Sequence, residues 1–306
     1  MNTSHIKKFD DEIDLKDVFI TLYSHKLTVI SFTLIFALIS LSIALYLPNS
    51  YSSKALLAST STEDTLSSKL SNLSALSSIA GINIAGDDSS KSTQAIARIQ
   101  SYDFFKNEFV PKIRLENLMA VQKWNQENNT IAYKKSIYDE TTKKWSLKFL
   151  SPKSELPSIQ KAFEEYLKIL SISEDRKTSF VSISIEHKSP IVAKKWLEHI
   201  IDGINEIMRI EDISKAQNSI NFLNESVKST NVQSIKEAIS SLLESQMKTL
   251  MLANSNDSYV FKVLDAPIVS EKKTGPNRAL ICILGTLIGF MLSLFLILIN
   301  KVFKSY

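Results

Sequence analysis

The chain has 306 residues and a formal net charge of +4 at neutral pH, with 36 basic and 32 acidic side chains. This balance gives no reason to expect nucleic acid as a partner. Cys282 is the only cysteine, so no disulfide bond can form within the chain. The four histidines, His5, His25, His187 and His199, are nowhere at metal-ligand spacing from one another.

Two uncharged hydrophobic runs lie near the ends of the chain, at residues 27–47 and 279–299. A helix of 21 residues is about 30 Å long, which is about the thickness of the hydrocarbon core of a bilayer. The sequence therefore predicts two transmembrane helices that contact membrane lipids. It also predicts a large extramembrane domain at 48–278 between short tails at 1–26 and 300–306.

Basic residues favour a cytoplasmic location for both tails. Lys272, Lys273 and Arg278 flank the second run on its other side, but long loops cross a membrane largely regardless of charge. We therefore expect both termini inside and the domain outside. With tails this short we expect no cytoplasmic kinase or signalling module. The lysines that support this orientation are Lys7, Lys8, Lys16, Lys26, Lys301 and Lys304.

The second run contains two glycines, Gly285 and Gly289, at the spacing GxxxG. Glycines spaced in this way lie on one face of a helix and let two helix backbones approach closely. The sequence predicts a helix-packing surface at this pair. The alternative is a chance pair of small residues in a membrane helix.

Three segments have the length and alternation of strands, at 51–59, 180–186 and 257–265. The first and the last lie close in sequence to the two hydrophobic runs. We therefore expect one sheet near the bilayer that contains all three.

A long apolar stripe begins after Ser189 and Pro190, which are typical of a helix start. The stripe predicts a helix of about 38 residues, or roughly 57 Å. The polar residues 228–231 interrupt it, and a second stripe runs over 235–250. The predicted fold class is α+β, with two transmembrane helices flanking a mixed α/β base and a long extended helix.

The first half of the domain contains shorter amphipathic segments, and the polar region 112–153 has no clear pattern. Within that region Trp124 and Trp145 are predicted to anchor the core. The amphipathic segments are 66–80, 92–101, 102–110 and 156–170.

The sequence contains no Gly-rich phosphate loop, GxSxG or HExxH motif. Neighbouring acids such as Glu164 and Glu165 point to different faces of a helix and are typical of solvated surface. We therefore predict no catalytic site, no cofactor and no metal. The acidic run at 10–17 fits either a soluble partner or solubility alone.

Five blocks of sequence, taken in order, resemble the polysaccharide chain-length determinant family, also called polysaccharide co-polymerases. Each block is weakly specific, and their order carries the resemblance. The blocks are EIDL at 12–15, QSYDFFKNEF at 100–109, VSISIEHKSPIVAKKWLEHIIDGIN at 181–205, QMKTLMLANSNDSYVFKVLDAP at 246–267 and GPNRALICILGTLIGF at 275–290.

The resemblance implies a bacterial inner-membrane protein whose periplasmic domain assembles into a homo-oligomeric ring. It implies a non-catalytic function with an integral-membrane polymerase, setting the length of a lipid-linked glycan such as lipopolysaccharide O antigen. Pro267, Gly275 and Pro276 match the family motif before the second span. Ser270 and Lys273 stand where further prolines are often found.

Alternative functions remain at this point. Larger family members work with a cytoplasmic tyrosine kinase, so an adaptor for capsule or exopolysaccharide export with a separate kinase is the second hypothesis. A periplasmic adaptor of an export pump would have one anchor and a glycine-rich, barrel-containing half. A two-span chemosensor would need a cytoplasmic signalling module.

Overall fold

The structure is a computed structural model that describes residues 25–60, 87–152, 157–256 and 258–305. The chain divides into two compact units. One consists of Met1–Asn49 together with Thr274–Tyr306, and the other is Ser50–Lys273. The predicted segment at 66–80 and the acidic run at 10–17 lie outside the described residues.

The elements are numbered in chain order. The first half contains α1 (Lys26–Tyr46), β1 (Tyr51–Ser59), α2 (Asp87–Ile99), α3 (Tyr102–Phe104), α4 (Leu115–Met119), β2 (Val121–Asn125), β3 (Thr130–Tyr133), β4 (Tyr138–Asp139) and β5 (Lys144–Trp145). The second half contains α5 (Ile159–Ile169), β6 (Leu170–Glu174), β7 (Phe180–His187), α6 (Pro190–Ser229), α7 (Gln233–Ser255), β8 (Phe261–Asp265) and α8 (Arg278–Ser305). After α3 the chain continues as a π-helical turn at Phe105–Phe109 and a 3₁₀ turn at Val110–Lys112.

A four-stranded antiparallel sheet in the order β6-β7-β1-β8 forms the centre of the larger unit. The three predicted strands all belong to it, which confirms a common sheet. The edge strand β6 was not predicted, because the apolar pattern of α5 runs directly into it at Leu170. Alternate residues of β1 and β7 are buried, as in a sheet covered on one face.

The predicted alternation in the last strand is wrong at Val263. Phe261 is fully buried, but Val263 and Leu264 are 38% and 47% exposed. The pairing of β1 with β8 is regular from Phe261 to Val263 and shifts register only after Val263, so the exposure of Val263 reflects the edge position of β8 and not a change of face.

The long helix α6 packs on the sheet and supplies most of the core. It spans 40 residues and begins where the sequence predicted, with the Ser189 hydroxyl accepting from the Val192 N–H at 3.5 Å. Its first half is buried up to Met208, whereas in the second half only Ala216 is buried. The helix α7, predicted from the second stripe, packs against α6.

Aromatic side chains fill the space between α3, α5 and α6. The ring centroids of Phe109 and Tyr166 are 4.9 Å apart, and those of Phe109 and Trp196 are 5.7 Å apart. The Tyr166 hydroxyl donates to the Ile99 carbonyl at 3.0 Å, which satisfies the one polar atom of this buried ring.

The two tryptophans of the region 112–153 do not anchor the core, so that prediction is wrong. Trp124 and Trp145 are both half-buried and lie in small hairpins, β2–β3 and β4–β5, outside the main hydrophobic cluster. Trp124 packs edge-on against Tyr51 at 5.5 Å, and Trp145 packs against Tyr138 at 5.1 Å. Trp196 of α6 is the tryptophan of the core.

The smaller unit consists of α1 and α8, which pack against each other. Both are long and apolar enough to cross a membrane, over Lys26–Tyr46 and Arg278–Ile299, and most of their residues are exposed. The observed helices start one residue before the two predicted runs.

Candidate functional site

The predicted glycine pair lies where α8 meets α1. A methyl group at Gly285 would overlap the Cβ of Ser40, and one at Gly289 would lie 2.5 Å from the Cβ of Phe36. Separations this short do not occur between real side chains, so any larger residue at either position would move the helices apart. The structure thus places both glycines against the first apolar helix of the same chain.

The polar residues at this contact are small, and their hydroxyls form hydrogen bonds within their own helices. The Ser40 hydroxyl is buried and donates to the Ala37 carbonyl at 2.9 Å, and the buried Ser293 hydroxyl donates to the Phe290 carbonyl at 2.6 Å. Each hydroxyl thereby returns its hydrogen bond to its own helix. The α1–α8 contact relies on shape and close packing, as expected for helices in an apolar solvent.

Arg278 starts α8 and links it to the end of the first helix. One Nη atom donates to the Asn49 side-chain oxygen at 3.2 Å. The buried Nε atom has no hydrogen-bond partner among the described residues. This contact joins the segment that follows α1 to the start of α8 within the smaller unit.

The predicted motif before the second span falls in both units. Pro267 is buried in the larger unit, and the next residue, Ile268, accepts a hydrogen bond from the Ser53 hydroxyl at 2.9 Å. Gly275 and Pro276 are half-buried in the smaller unit and are joined by a cis peptide bond. The function of these three residues stays a prediction.

His187 is a buried side chain that sequence reasoning did not single out. Its Nδ1 accepts from the Ser189 N–H at 2.9 Å, and its Nε2 lies 2.9 Å from the Asn117 carbonyl. The first bond requires an unprotonated Nδ1, so the neutral ring with a proton on Nε2 satisfies both. Burial lowers the pKa of His187, which favours the same neutral form. The ring also packs on Trp196, at 4.9 Å between centroids.

A polar cleft of 530 Å³ lies between α2 and α6. Ion pairs line it, with Arg98 2.6 Å from Glu211 and Lys91 3.2 Å from Asp212. The Tyr259 hydroxyl also donates to Asp212, at 2.6 Å. Because these charges pair with one another across the cleft, they fasten α2 to the long helix.

The described residues contain no group of three His, Cys, Asp or Glu side chains that could hold a metal ion. Two deeply buried ionisable side chains, His187 and Tyr166, form hydrogen bonds to the backbone. The absence of catalysis stays a prediction.

The fold defines a class of protein: an α+β unit enclosed in sequence by two helices of membrane-spanning length and composition. Within this class, the model of the chain length determinant protein family, Wzz, matches residues 11–107. That stretch contains α1, β1, α2 and α3. The predicted resemblance is confirmed for this part of the chain. No curated protein matches the chain in sequence.

Solved structures of co-polymerases are similar to the chain only at low identity. A full-length bacterial polysaccharide co-polymerase is 11% identical, with 96% of this chain and 99% of that chain covered and a TM-score of 0.41. A fragment of WzzB, a polysaccharide co-polymerase from Salmonella Typhimurium, is 14% identical, with 74% of this chain and 100% of that chain covered and a TM-score of 0.30. The proposed function therefore rests on the family match at residues 11–107.

Proposed function

We propose that this chain is a non-catalytic co-polymerase that sets the length distribution of a lipid-linked surface polysaccharide, lipopolysaccharide O antigen. The observation that carries the proposal is the match of residues 11–107 to the chain length determinant family. The ordered sequence blocks in the remainder of the chain support it, because they extend the resemblance to the second apolar helix.

The proposal includes a location and a set of partners. The chain is anchored in the inner membrane by α1 and α8, its termini are cytoplasmic and residues 48–278 are periplasmic. Several copies form a ring that works with the integral-membrane polymerase on the growing lipid-linked glycan. The domain needs no reaction centre for this, since the assembled surface and not a nucleophile determines when the polymer is released.

Deletion of the gene, followed by electrophoresis of the surface lipopolysaccharide, tests the proposal. We expect polymer to remain but its modal length to disappear, because the polymerase still works while its length control is lost. Complementation with the wild-type gene should restore the mode. Complementation with Glu164→Gln or Glu211→Gln should at most shift it, since we assign neither carboxylate a chemical step.

Two results would contradict the proposal. If lipopolysaccharide is unchanged while capsule or exopolysaccharide is lost, the export-adaptor hypothesis is correct instead. If either single substitution abolishes all polymer at a normal protein level, the chain contains a catalytic site.

A further inference from the structure

A small lobe of the larger unit, residues 121–149, carries an excess of positive charge. We call it the basic lobe; it contains the hairpins β2–β3 and β4–β5 and the 3₁₀ turn at Leu147–Phe149. Six lysines against three acids give it a net charge of +3, and all six lysines are exposed. The lysines are Lys123, Lys134, Lys135, Lys143, Lys144 and Lys148, and the acids are Glu127, Asp139 and Glu140.

The six lysines are not paired with carboxylates. Within the part of the chain that the structure describes, none of them forms an ion pair. The Asp139 carboxylate instead accepts from the Thr141 N–H at 3.0 Å and the Thr142 hydroxyl at 2.8 Å. The lobe therefore presents positive charge that its own acids do not neutralise through ion pairs.

Among the described residues of the larger unit, Leu147 is the most exposed large hydrophobic side chain, at 88%. It begins a 3₁₀ turn, in which the Phe149 N–H donates to the Ser146 carbonyl at 2.8 Å. Lys144 and Lys148 lie close to it in sequence. An exposed leucine among lysines suits the interface of an anionic bilayer, where the leucine enters the acyl boundary and the lysines stay at the headgroups.

Aromatic contacts connect this leucine to the start of the domain. The rings of Tyr133 and Tyr138 are 5.5 Å apart, and Trp145, two residues before Leu147, packs on Tyr138. At the other side of the lobe, Trp124 packs on Tyr51. Tyr51 follows the predicted first span, which ends at residue 47, by four residues, and four residues reach at most about 14 Å. The lobe therefore contacts a residue that follows a predicted membrane helix closely in sequence.

We propose that the basic lobe docks on the anionic surface of the membrane, with Leu147 inserted at the interface and the lysines at phospholipid headgroups. This docking would fix the orientation of the larger unit relative to the bilayer. An anionic lipid surface is favoured as the partner because it complements both the unpaired lysines and the exposed leucine, and because Tyr51, which Trp124 contacts, follows a predicted span by four residues. Docking needs no glycan, so its test is independent of the proposed function.

The test uses the full chain in lipid nanodiscs. In a Cys282→Ser background, Leu147→Cys is labelled with a polarity-sensitive dye, and quenching by brominated lipid is measured. We expect strong quenching in phosphatidylcholine that contains about a quarter phosphatidylglycerol, and weak quenching in phosphatidylcholine alone, because each lysine near an anionic surface contributes roughly a five-fold preference. Salt at about 0.5 M, which shortens the Debye length to roughly 4 Å, should reduce the quenching.

Matched variants separate docking from other causes. Lys143→Glu with Lys148→Glu should lower the quenching at position 147, whereas Lys177→Glu with Lys228→Glu, two exposed lysines outside the lobe, should not. A dye at Phe222→Cys, which is 68% exposed on α6, should stay unquenched. Two outcomes would overturn the proposal. The first is equal quenching with and without anionic lipid. The second is a dye at position 147 that is shielded from water but is not quenched by lipid. The second outcome would indicate a protein partner for Leu147.

Discussion

His187 joins three parts of the larger unit through one ring. It ends β7, it accepts from the backbone at the start of α6, and it contacts the Asn117 carbonyl in α4. Protonation would replace the acceptor at Nδ1 with a donor that faces the Ser189 N–H. It would also place a positive charge at the N-terminus of a 40-residue helix, where the helix dipole disfavours it.

The first prediction follows from this geometry. Burial holds the pKa of His187 in the folded domain below the ordinary value of 6.5, so between these two values the unfolded chain binds the extra proton. The free energy of unfolding should therefore be greatest above about pH 6.5 and should decrease as pH falls through this window, by about 1.4 kcal/mol per pH unit. Urea unfolding of the full chain in detergent, followed by tryptophan fluorescence, measures this.

His187→Gln should flatten the pH dependence and lower stability at neutral pH by roughly 1–3 kcal/mol, because a buried N–H and a carbonyl lose their partner. The control is His199→Gln. Burial also lowers the pKa of His199, but this ring is only half-buried and should matter less. A slope that stays unchanged in His187→Gln would show that another group titrates.

Asn205 illustrates a residue whose function the sequence signalled only weakly. It is a buried polar residue in the apolar stripe of α6, and its side-chain oxygen accepts from the backbone N–H groups of Val260 and Phe261 at 2.9 and 2.8 Å. Its amide nitrogen donates to the Phe261 carbonyl at 3.0 Å. A polar residue at a stripe position between Ile204 and Met208 hints at such a bond, but its partner is distant in sequence and follows only from the tertiary fold.

At the scale of elements, the glycine pair of α8 leads to the second prediction. Replacing Gly285 and Gly289 with leucine should separate α8 from α1, because even a Cβ atom at these positions meets Ser40 and Phe36. Hydrophobic length is unchanged, so the helix should still insert. We expect an altered glycan length distribution and weaker crosslinking by a short bismaleimide between cysteines at Asn49 and Arg278 in a Cys282→Ser background.

The matched control adds bulk on the exposed face of the same helix. Leu284→Phe with Leu287→Phe changes two side chains that are 50% and 51% exposed, and it should leave both readouts unchanged. If the double leucine variant retains wild-type glycan length and wild-type crosslinking, the glycines are ordinary lipid-facing residues and the packing surface does not exist.

Elements with strong periodicity were predictable, and elements defined by long-range pairing were not. The boundaries of β1 and the start of α6 agree with the sequence, because alternation and a Ser-Pro cap are local signals. The strand β6 and the two small hairpins depend on partners elsewhere in the chain. GxxxG predicts a close helix contact but not its partner, and the structure places the first apolar helix of the same chain there.

For the whole molecule, the larger unit continues at both ends of its sequence into an apolar helix of membrane-spanning length. β1 follows α1 after four residues, and its neighbour β8 leads toward α8. The carbonyl of Ile268, just after β8, is tied back to Ser53 of β1. Within the larger unit, the strands nearest to its two chain ends are therefore neighbours in one sheet.

This arrangement gives the third prediction, that both termini are cytoplasmic and the domain is periplasmic. Reporter fusions that are active in only one compartment should give opposite results after Tyr306 and within the chain near Asn254, which lies at the exposed end of α7. In the predicted topology Lys272, Lys273 and Arg278 flank the second span on its periplasmic side. A long translocated loop tolerates such charge, so their replacement with glutamine should not change the result. If fusions at Tyr306 and near Asn254 report the same compartment, α8 does not cross the membrane, and a ring anchored by two spans per copy is impossible.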